Sequence, residues 1–301
     1  MMWTDFTVIV PASTANMGPG FDSIGLALDL QLTIHVSRAE EWHVEYKDDS
    51  YRHLSGAAEN LIVEAAMYAA SKTGRTLPPA KLVVETDIPL GRGLGSSASA
   101  IAGGIEICAR LLGIDMPMKE KVAIGTEMEG HPDNISASLM GGLTISYAEG
   151  EDLEVVHIPE AAVGVVLMVP PNEFLTSESR GLLPEKLAYE TAVRSSAAGN
   201  VLSAALVRGD WQMAGRMMEK DAFHEPFRKS RFPDFDKIRL ACRAAGAYGS
   251  AISGAGPSLF IVAPEGREQE ICSALSEQFP LYDCSFTKPS AVGVKSFETV
   301  I

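Results

Sequence analysis

The stretch from Lys81 to Gly113 restricts the possible folds more than any other part of the chain. Lys81–Thr86, with Leu82, Val83 and Val84 at its centre, reads as a strand of a half-buried sheet. Ile88-Pro89-Leu90-Gly91-Arg92-Gly93-Leu94-Gly95-Ser96-Ser97-Ala98-Ser99-Ala100 follows and opens a helical run over Ser96–Leu112, which Gly113 stops. Glycines there let the backbone approach a ligand closely and turn its N–H groups inward. The start of a helix adds unpaired N–H groups and about half a positive charge. A strand, a glycine loop and a helix in this order form a phosphate cradle. Two familiar loops fail on spacing. A Walker loop needs four residues between its glycines and then Lys, whereas Gly91 and Gly95 enclose three and Ser96 follows. A dinucleotide fingerprint needs glycine at 96. The plain alternative is a Gly/Ser turn that serves only to pack the helix.

The rest of the chain supplies the frame. Alternation over 30–37 (Leu30, Leu32, Ile34, Val36) and 42–46, with Phe6–Val10, predicts a largely antiparallel sheet. Helices are predicted over Ala57–Thr73, stopped by Gly74, and over Pro117–Glu129, with a strand over Leu143–Tyr147. After about residue 155 the order changes. An apolar strand (Val163–Val169) ends at Pro170-Pro171, and helices follow near 184–208, 210–219 and 234–245. Strands over Ser250–Ser253 and Leu259–Val262, a helix over Gly266–Gln278 and a strand over Asp283–Phe286 complete it. The class is α+β, the second block a sandwich of ferredoxin-like type. A length of 301 residues gives about two domains, divided here as 1–155 and 156–301.

Composition excludes several functions. Asp and Glu number 39 against 25 Lys and Arg, a net charge of −14. That sign repels phosphodiester backbones and anionic lipid, so neither nucleic acid nor a membrane is expected as partner. Four scattered cysteines give neither a disulfide framework nor a zinc site. Ala244–Pro264 carries no charge over 21 residues, but four glycines and two prolines interrupt it, so a packed turn between short strands is expected. MMWTDFTVIVP lacks the pattern of a signal peptide, and the chain is expected to be soluble and cytoplasmic.

Three further segments bear on function. Val10-Pro11-Ala12-Ser13-Thr14-Ala15-Asn16-Met17-Gly18-Pro19-Gly20-Phe21-Asp22-Ser23-Ile24-Gly25 is a second glycine-rich turn, with one amide and one carboxylate. Glu129-Gly130-His131-Pro132-Asp133-Asn134 precedes Gly141-Gly142, and Ser253-Gly254-Ala255-Gly256-Pro257-Ser258 is a third such turn. With these blocks in order, the sequence resembles the GHMP kinases along essentially its whole length. PLGRGLGSSASA is similar to their phosphate motif and SGAGPSLF to their C-terminal glycine motif. VPASTANMGPGFDSIGLAL and EGHPDN are similar to segments of the branch that phosphorylates homoserine.

The resemblance implies a two-domain GHMP kinase fold: an N-terminal domain containing a left-handed βαβ unit and a C-terminal ferredoxin-like sandwich. It implies transfer of the γ-phosphoryl group of ATP, with Mg2+, to the side-chain hydroxyl of L-homoserine on the way to threonine. It also implies a homodimer. Pro89, Leu90, Gly91, Arg92, Gly93, Leu94, Gly95, Ser96, Ser97, Ala98 and Ser99 would hold the phosphates, and Asn60 would border the adenine. Glu129 and Ser97 would hold the metal, with Glu127 as rival to Glu129. Asn16 and Asp22 would meet the ammonium and hydroxyl. Thr176, Arg180 and Arg228 would face the carboxylate, because the planar arginine fork suits it. His131 and Asn134 would lie beside the acceptor. Asn134, Asp133 and Arg180 would act in the transfer, with Asp133 as a base or, preferred, with no base and the proton leaving to a phosphate oxygen.

Plain structural roles compete at each position: a solvated helix-end acid for either glutamate, a helix cap for Asn60, a surface ion pair for either arginine, a structural histidine for His131. Two other functions compete as well. One is a sister kinase acting on mevalonate, a phosphorylated isoprenoid, a sugar or shikimate. The other is a kinase-like sensor without catalysis.

Overall fold

The computed structural model describes residues 3–56, 59–172, 174, 176–232 and 234–299. Its first sheet has seven strands. β1 (Phe6–Ala15), β2 (Ile24–Arg38), β3 (His43–Tyr46) and β4 (Ala80–Thr86) come first in the chain. β5 (Leu143–Glu149) and β6 (Asp152–Ile158) extend β2, and β11 (Lys295–Glu298) pairs antiparallel with β1. β3 and β4 are parallel and joined through α1 (Leu61–Thr73), a βαβ unit inside an otherwise antiparallel sheet. α2 (Ser96–Leu112), α3 (Met118–Glu129) and α4 (Asp133–Met140) complete this layer, with α2 and α4 packing on β1 and β2.

The expected alternation over 30–37 is the outer half of β2. Residues 24–28 belong to the same strand but are buried on both faces, so no alternation marks them. The pairing of β1 with β2 slips at Pro11/Ala12, where Pro11 opposes Gln31 and Ala12 opposes Leu28. Beyond this bulge the pairing resumes as far as Ala15 and Gly25, where the glycine-rich turn carrying Asn16 and Asp22 leaves the sheet.

The second sheet is β7 (Gly164–Val169), β8 (Gly249–Ile252), β9 (Leu259–Ala263) and β10 (Asp283–Thr287) in the order β10-β7-β9-β8. Numbered within the unit that is 4-1-3-2, all antiparallel, the ferredoxin-like arrangement expected. The continuous apolar run of β7 follows from burial on both faces. Val166 and Met168 pack with Ile238 and Cys242 of α9 (Phe235–Ala244) and with Ile271 and Leu275 of α10 (Glu268–Gln278). Val165 and Leu167 share the larger core with Leu202 and Leu206 of α6 (Tyr189–Val207) and with Trp211 and Met218 of α7 (Trp211–Met218). That core is continuous with the first sheet, and each fully buried Leu or Ile contributes roughly 1.5–3 kcal/mol. The uncharged 244–264 stretch is the end of α9, β8, a glycine turn and β9, and no helix of the described residues is long and apolar enough to cross a membrane.

Some elements differ from the sequence expectation. α1 starts at Leu61 behind Asn60; residues 57 and 58, predicted helical, lie outside the described residues. α6 starts at 189 rather than 184. α4 was not anticipated: seven of its eight residues are buried, polar ones included, so no solvent-facing polar stripe marks it. β6, the short α5 (Thr176–Arg180) and α8 (Glu225–Arg228), and β11 were also missed. β11 brings the end of the chain back to the first sheet, so a segment assigned by sequence to the second block belongs structurally to the first.

Candidate active site

The three glycine-rich turns meet. Ser13 N–H donates to the Leu94 carbonyl (3.1 Å), Gly254 N–H to Ala15 (3.2 Å) and Ser258 N–H to Arg92 (3.2 Å). Ser253 Oγ donates to the Gly93 carbonyl at 2.6 Å and is hydrogen-bonded with Thr14 Oγ1 at 2.8 Å. This closeness explains two glycines. A Cβ on Gly93 would stand 2.3 Å from the Ser253 carbonyl oxygen and one on Gly95 2.2 Å from Ser13 Oγ, and both residues have φ of 73°. Gly95 caps α2 without a side-chain bond, so the first-turn N–H groups remain available to an anion.

Two adjoining cavities share Ser96 and Ser97 as their common wall. The larger, about 800 Å³, is lined by Leu32, Tyr46, Asn60, Ile88, Leu90 and Ala100 among others. Asn60 caps α1 by accepting from Ile62 N–H (3.0 Å) and donates to the Leu54 carbonyl (3.3 Å), so the cap role and the pocket role coincide. The smaller, about 200 Å³, is dense in charge: Asp22, Glu129, His131, Asp133, Arg180 and Arg228 line it, with Asn16, Phe21 and Asn134.

Glu129 accepts from Ser97 Oγ at 2.6 Å. Burial pushes its carboxyl above the usual range, against the pull of that bond and of His131. Glu127, two residues earlier, faces out and accepts from Tyr68 Oη (2.6 Å) and Lys72 Nζ (2.5 Å). Helix geometry puts only Glu129 on the cavity, since two residues turn a side chain through more than half a revolution. A buried carboxylate beside a hydroxyl is a donor set for a hard cation.

His131 Nδ1 lies 2.6 Å from Asp133 Oδ1, which also accepts from Asn134 N–H at 2.8 Å. Burial works against the charged imidazole. The Asp133 bond and the charges of Asp133, Glu129 and Asp22 outweigh it and raise the His131 pKa. Asn134 donates through Nδ2 to Ser13 Oγ (3.0 Å) and the Ser13 carbonyl (3.2 Å), while its Oδ1 accepts no bond among the described residues. Asp22, His131 and Asp133 bring ligand atoms within 4.8 Å of one another, but both Asp22 oxygens are held by Arg180.

That pair is bidentate: Arg180 Nη2 to Oδ1 at 2.7 Å and Nη1 to Oδ2 at 3.1 Å. The residues expected to meet the two ends of a zwitterion are thus partnered with each other. Arg228 approaches from the other side, 2% exposed, and donates through Nη1 to the Gly254 carbonyl (3.0 Å). Both guanidinium carbons lie within 6 Å of the Phe21 ring centre, at 5.7 Å for Arg180 and 5.4 Å for Arg228. Burial, then the charge of Arg180, brings the Arg228 pKa down to about 10.

Comparison with known proteins places this geometry. A model described as the GHMP kinases N terminal domain matches residues 60–142, and one described as GHMP kinases C terminal matches 202–281. Homoserine kinase of Halalkalibacterium halodurans is 41% identical over 295 residues, spanning 98% of this chain and 96% of the relative. The chain belongs to the homoserine kinase family. Homoserine kinase of Bacillus cereus is 45% identical over 91% of each chain. The crystal structure of homoserine kinase from Cytophaga hutchinsonii superposes with a TM-score of 0.84 at 28% identity, covering 99% of this chain and 98% of that one. A mevalonate kinase structure (TM-score 0.70, 17% identity, 94% and 98% covered) shares the fold alone.

Within this homoserine kinase frame, not every expected residue reaches a cavity. Leu90, Gly91, Gly93, Gly95, Ser96 and Ser97 do. Pro89, Arg92, Leu94, Ala98 and Ser99 line neither. Arg92 donates to the Pro170 carbonyl at 2.7 Å, Leu94 and Ala98 are core, and Ser99 Oγ donates to Pro11 (3.0 Å) and Gly95 (2.9 Å). Asn16 holds the turn, donating to the Gly254 carbonyl (2.9 Å) and accepting from Asp22 N–H (2.9 Å). Thr176 opens α5, but its side chain lies outside the described residues. Phe21, Phe174 and the Gly254 carbonyl went unforeseen, as did the Tyr46 and His53 that line the larger cavity.

Proposed function

We propose that the protein transfers the γ-phosphoryl group of ATP to the side-chain hydroxyl of L-homoserine, giving O-phospho-L-homoserine for threonine synthesis. The supporting observation is the pair of cavities joined at Ser96 and Ser97: a large, mostly apolar one for the nucleoside, and a small one with both charges a zwitterion needs. Such transfer asks a protein for positioning and charge stabilisation. First-turn N–H groups of α2 and the Ser96 and Ser97 hydroxyls hold the β- and γ-phosphates. Arg180 and Arg228 take the carboxylate, Asp22 takes the ammonium, and Asn134 Oδ1 accepts from the reacting hydroxyl and aims it.

Glu129 and Ser97 would hold Mg2+, which when bound neutralises charge on the phosphates. The homoserine oxygen forms a bond to the γ-phosphorus as the bond to the β-bridging oxygen breaks. The hydroxyl proton leaves to a γ-phosphoryl oxygen, a reading supported by Asp133 Oδ1 being engaged already by His131 Nδ1 and Asn134 N–H. A homodimer in the cytoplasm completes the reading; the exposed Tyr189 and Val193 of α6 are apolar surface that a second copy would cover. Light scattering on the purified protein tests that point.

Coupled ADP release tests the activity. The expected result is ATP turnover with L-homoserine far above that with mevalonate, shikimate or a sugar. ATP binding without turnover on any acceptor would replace this reading with a sensor.

A further inference from the structure

We infer that His224, which precedes α8, is a positioning residue that fixes the Arg228 guanidinium for the substrate carboxylate. The inference rests on the homoserine reading above. His224 is fully buried, and its two ring nitrogens have partners that leave no choice of tautomer. Nε2 lies 3.1 Å from the Gly18 carbonyl, which can only accept, so Nε2 carries the hydrogen. Nδ1 lies 3.2 Å from Arg228 Nη1, and a guanidinium can only donate, so Nδ1 is the acceptor. The imidazole is therefore neutral. Burial, with the charge of Arg228, agrees by pulling its pKa down to about 4. Asp221, the nearest acid, stands 3.6 Å from Nε2 and accepts instead from the N–H groups of Phe223, His224 and Glu225. The Phe21 ring stacks on the imidazole at 5.3 Å and 25°.

The neutrality matters because of what Arg228 lacks. No carboxylate pairs with it among the described residues, and its Nε has no partner. Neighbouring arginines are treated differently. Arg239 Nη2 donates to both carboxylate oxygens of Glu225 (3.0 and 3.2 Å) and Arg180 is bidentate to Asp22, so each has an acid partner inside the protein. An acid at position 224 would do the same to Arg228 and compete with the ligand. A neutral acceptor holds the fork in place, together with the Gly254 carbonyl, and leaves its charge for an incoming carboxylate. The turn carrying Gly18 also carries Phe21 and Asp22, so the histidine ties the carboxylate anchor to the ammonium anchor.

The test compares two acceptors: L-homoserine and its amino-diol analogue 2-amino-1,4-butanediol, which keeps the ammonium and the reacting hydroxyl but has no carboxylate. H224A should raise KM for homoserine about tenfold or more while changing kcat less than threefold. KM for the amino-diol and for ATP should stay within twofold. H224Q, whose amide can accept from Arg228 and donate to Gly18, should restore most of the homoserine KM. If H224A does not fold, H224N keeps a polar amide but is too short for both partners, and it must show the same selective rise. Equal loss with both acceptors, no loss with either, or no rescue by H224Q would overturn the positioning role. Wild-type protein that turns over neither acceptor would instead overturn the homoserine reading.

Discussion

Asp22 and Arg180 are expected to grip opposite ends of homoserine, yet in the ligand-free protein they grip each other, and this sets the sign of an experiment. Asp22→Asn removes a charge-assisted contact to the substrate ammonium, worth about 1.5–3 kcal/mol. It also releases Arg180 from an internal pair whose side chains are 35% and 37% exposed, a class worth about 0.2–1 kcal/mol. The net loss is about 0.5–3 kcal/mol, a homoserine KM raised roughly 2- to 100-fold. The fold should tolerate the change. Asp22 has φ of 55°, a conformation asparagine accepts, and its N–H still donates to Asn16. For 4-hydroxybutyrate, which has the carboxylate but no ammonium, only the second term remains. Asp22→Asn should bind it up to about 5-fold more tightly than wild type, because Arg180 no longer has to leave a partner. Both acceptors can be measured by ADP release, with 4-hydroxybutyrate also tested as a competitive inhibitor and KM for ATP as control. Unchanged homoserine KM, or weaker 4-hydroxybutyrate binding, would refute the exchange.

Glu129→Gln should cut kcat roughly 100-fold and weaken the Mg2+ dependence. It should also raise the ligand-free melting temperature at pH 8. Burial lifts the Glu129 pKa, so wild type loses this contribution as pH rises through that value and the glutamine does not. The gap should close at about pH 4, and a lower melting temperature at pH 8 would contradict the assignment. Asp133→Asn should keep kcat within about tenfold, since a general base is worth about 10²–10⁴. NMR should show the His131 pKa falling once its partner is neutral; a larger loss of kcat with KM intact makes Asp133 the base. Phe260→Ala, on the central strand β9 and fully buried, should lose about 3–5 kcal/mol in urea unfolding, and a loss below about 1 kcal/mol would deny it a packed core role.

What the sequence disclosed follows from which forces act locally. The loop before α2 was legible because glycine spacing, helix start and strand end are all local, and so was β7, whose burial on both faces writes an unbroken apolar run. α4 left no trace, since a helix buried all round has no period to read. Which of Glu127 and Glu129 faces the cavity is visible only with their neighbours, Tyr68 with Lys72 on one face and Ser97 on the other. His224 and Phe21 carry meaning only after the glycine turns around Gly18 and Gly254 close on each other, contacts more than 200 residues apart in sequence. The Gly254 carbonyl, which holds both Asn16 and Arg228, is backbone, and no side-chain pattern reports it.

The same contacts explain how a chain with net charge −14 can select a zwitterion. An anion alone that drew Arg180 away would leave the Asp22 carboxylate without its partner; a cation alone that drew Asp22 away would strand Arg180 beside the buried Arg228. A molecule with both charges replaces one internal pair by two external ones and strands neither. Arg228, anchored by carbonyl and imidazole rather than by an acid, then supplies a positive charge that no carboxylate pairs with among the described residues. Selection therefore depends less on pocket size, where one methylene is worth only about 1–3 kcal/mol, than on the requirement that every charge end with a partner. Acceptors that keep both charges and differ in length should lose modestly, whereas neutralising either end should cost more, and the relative kcat/KM of such a series measures that ordering directly.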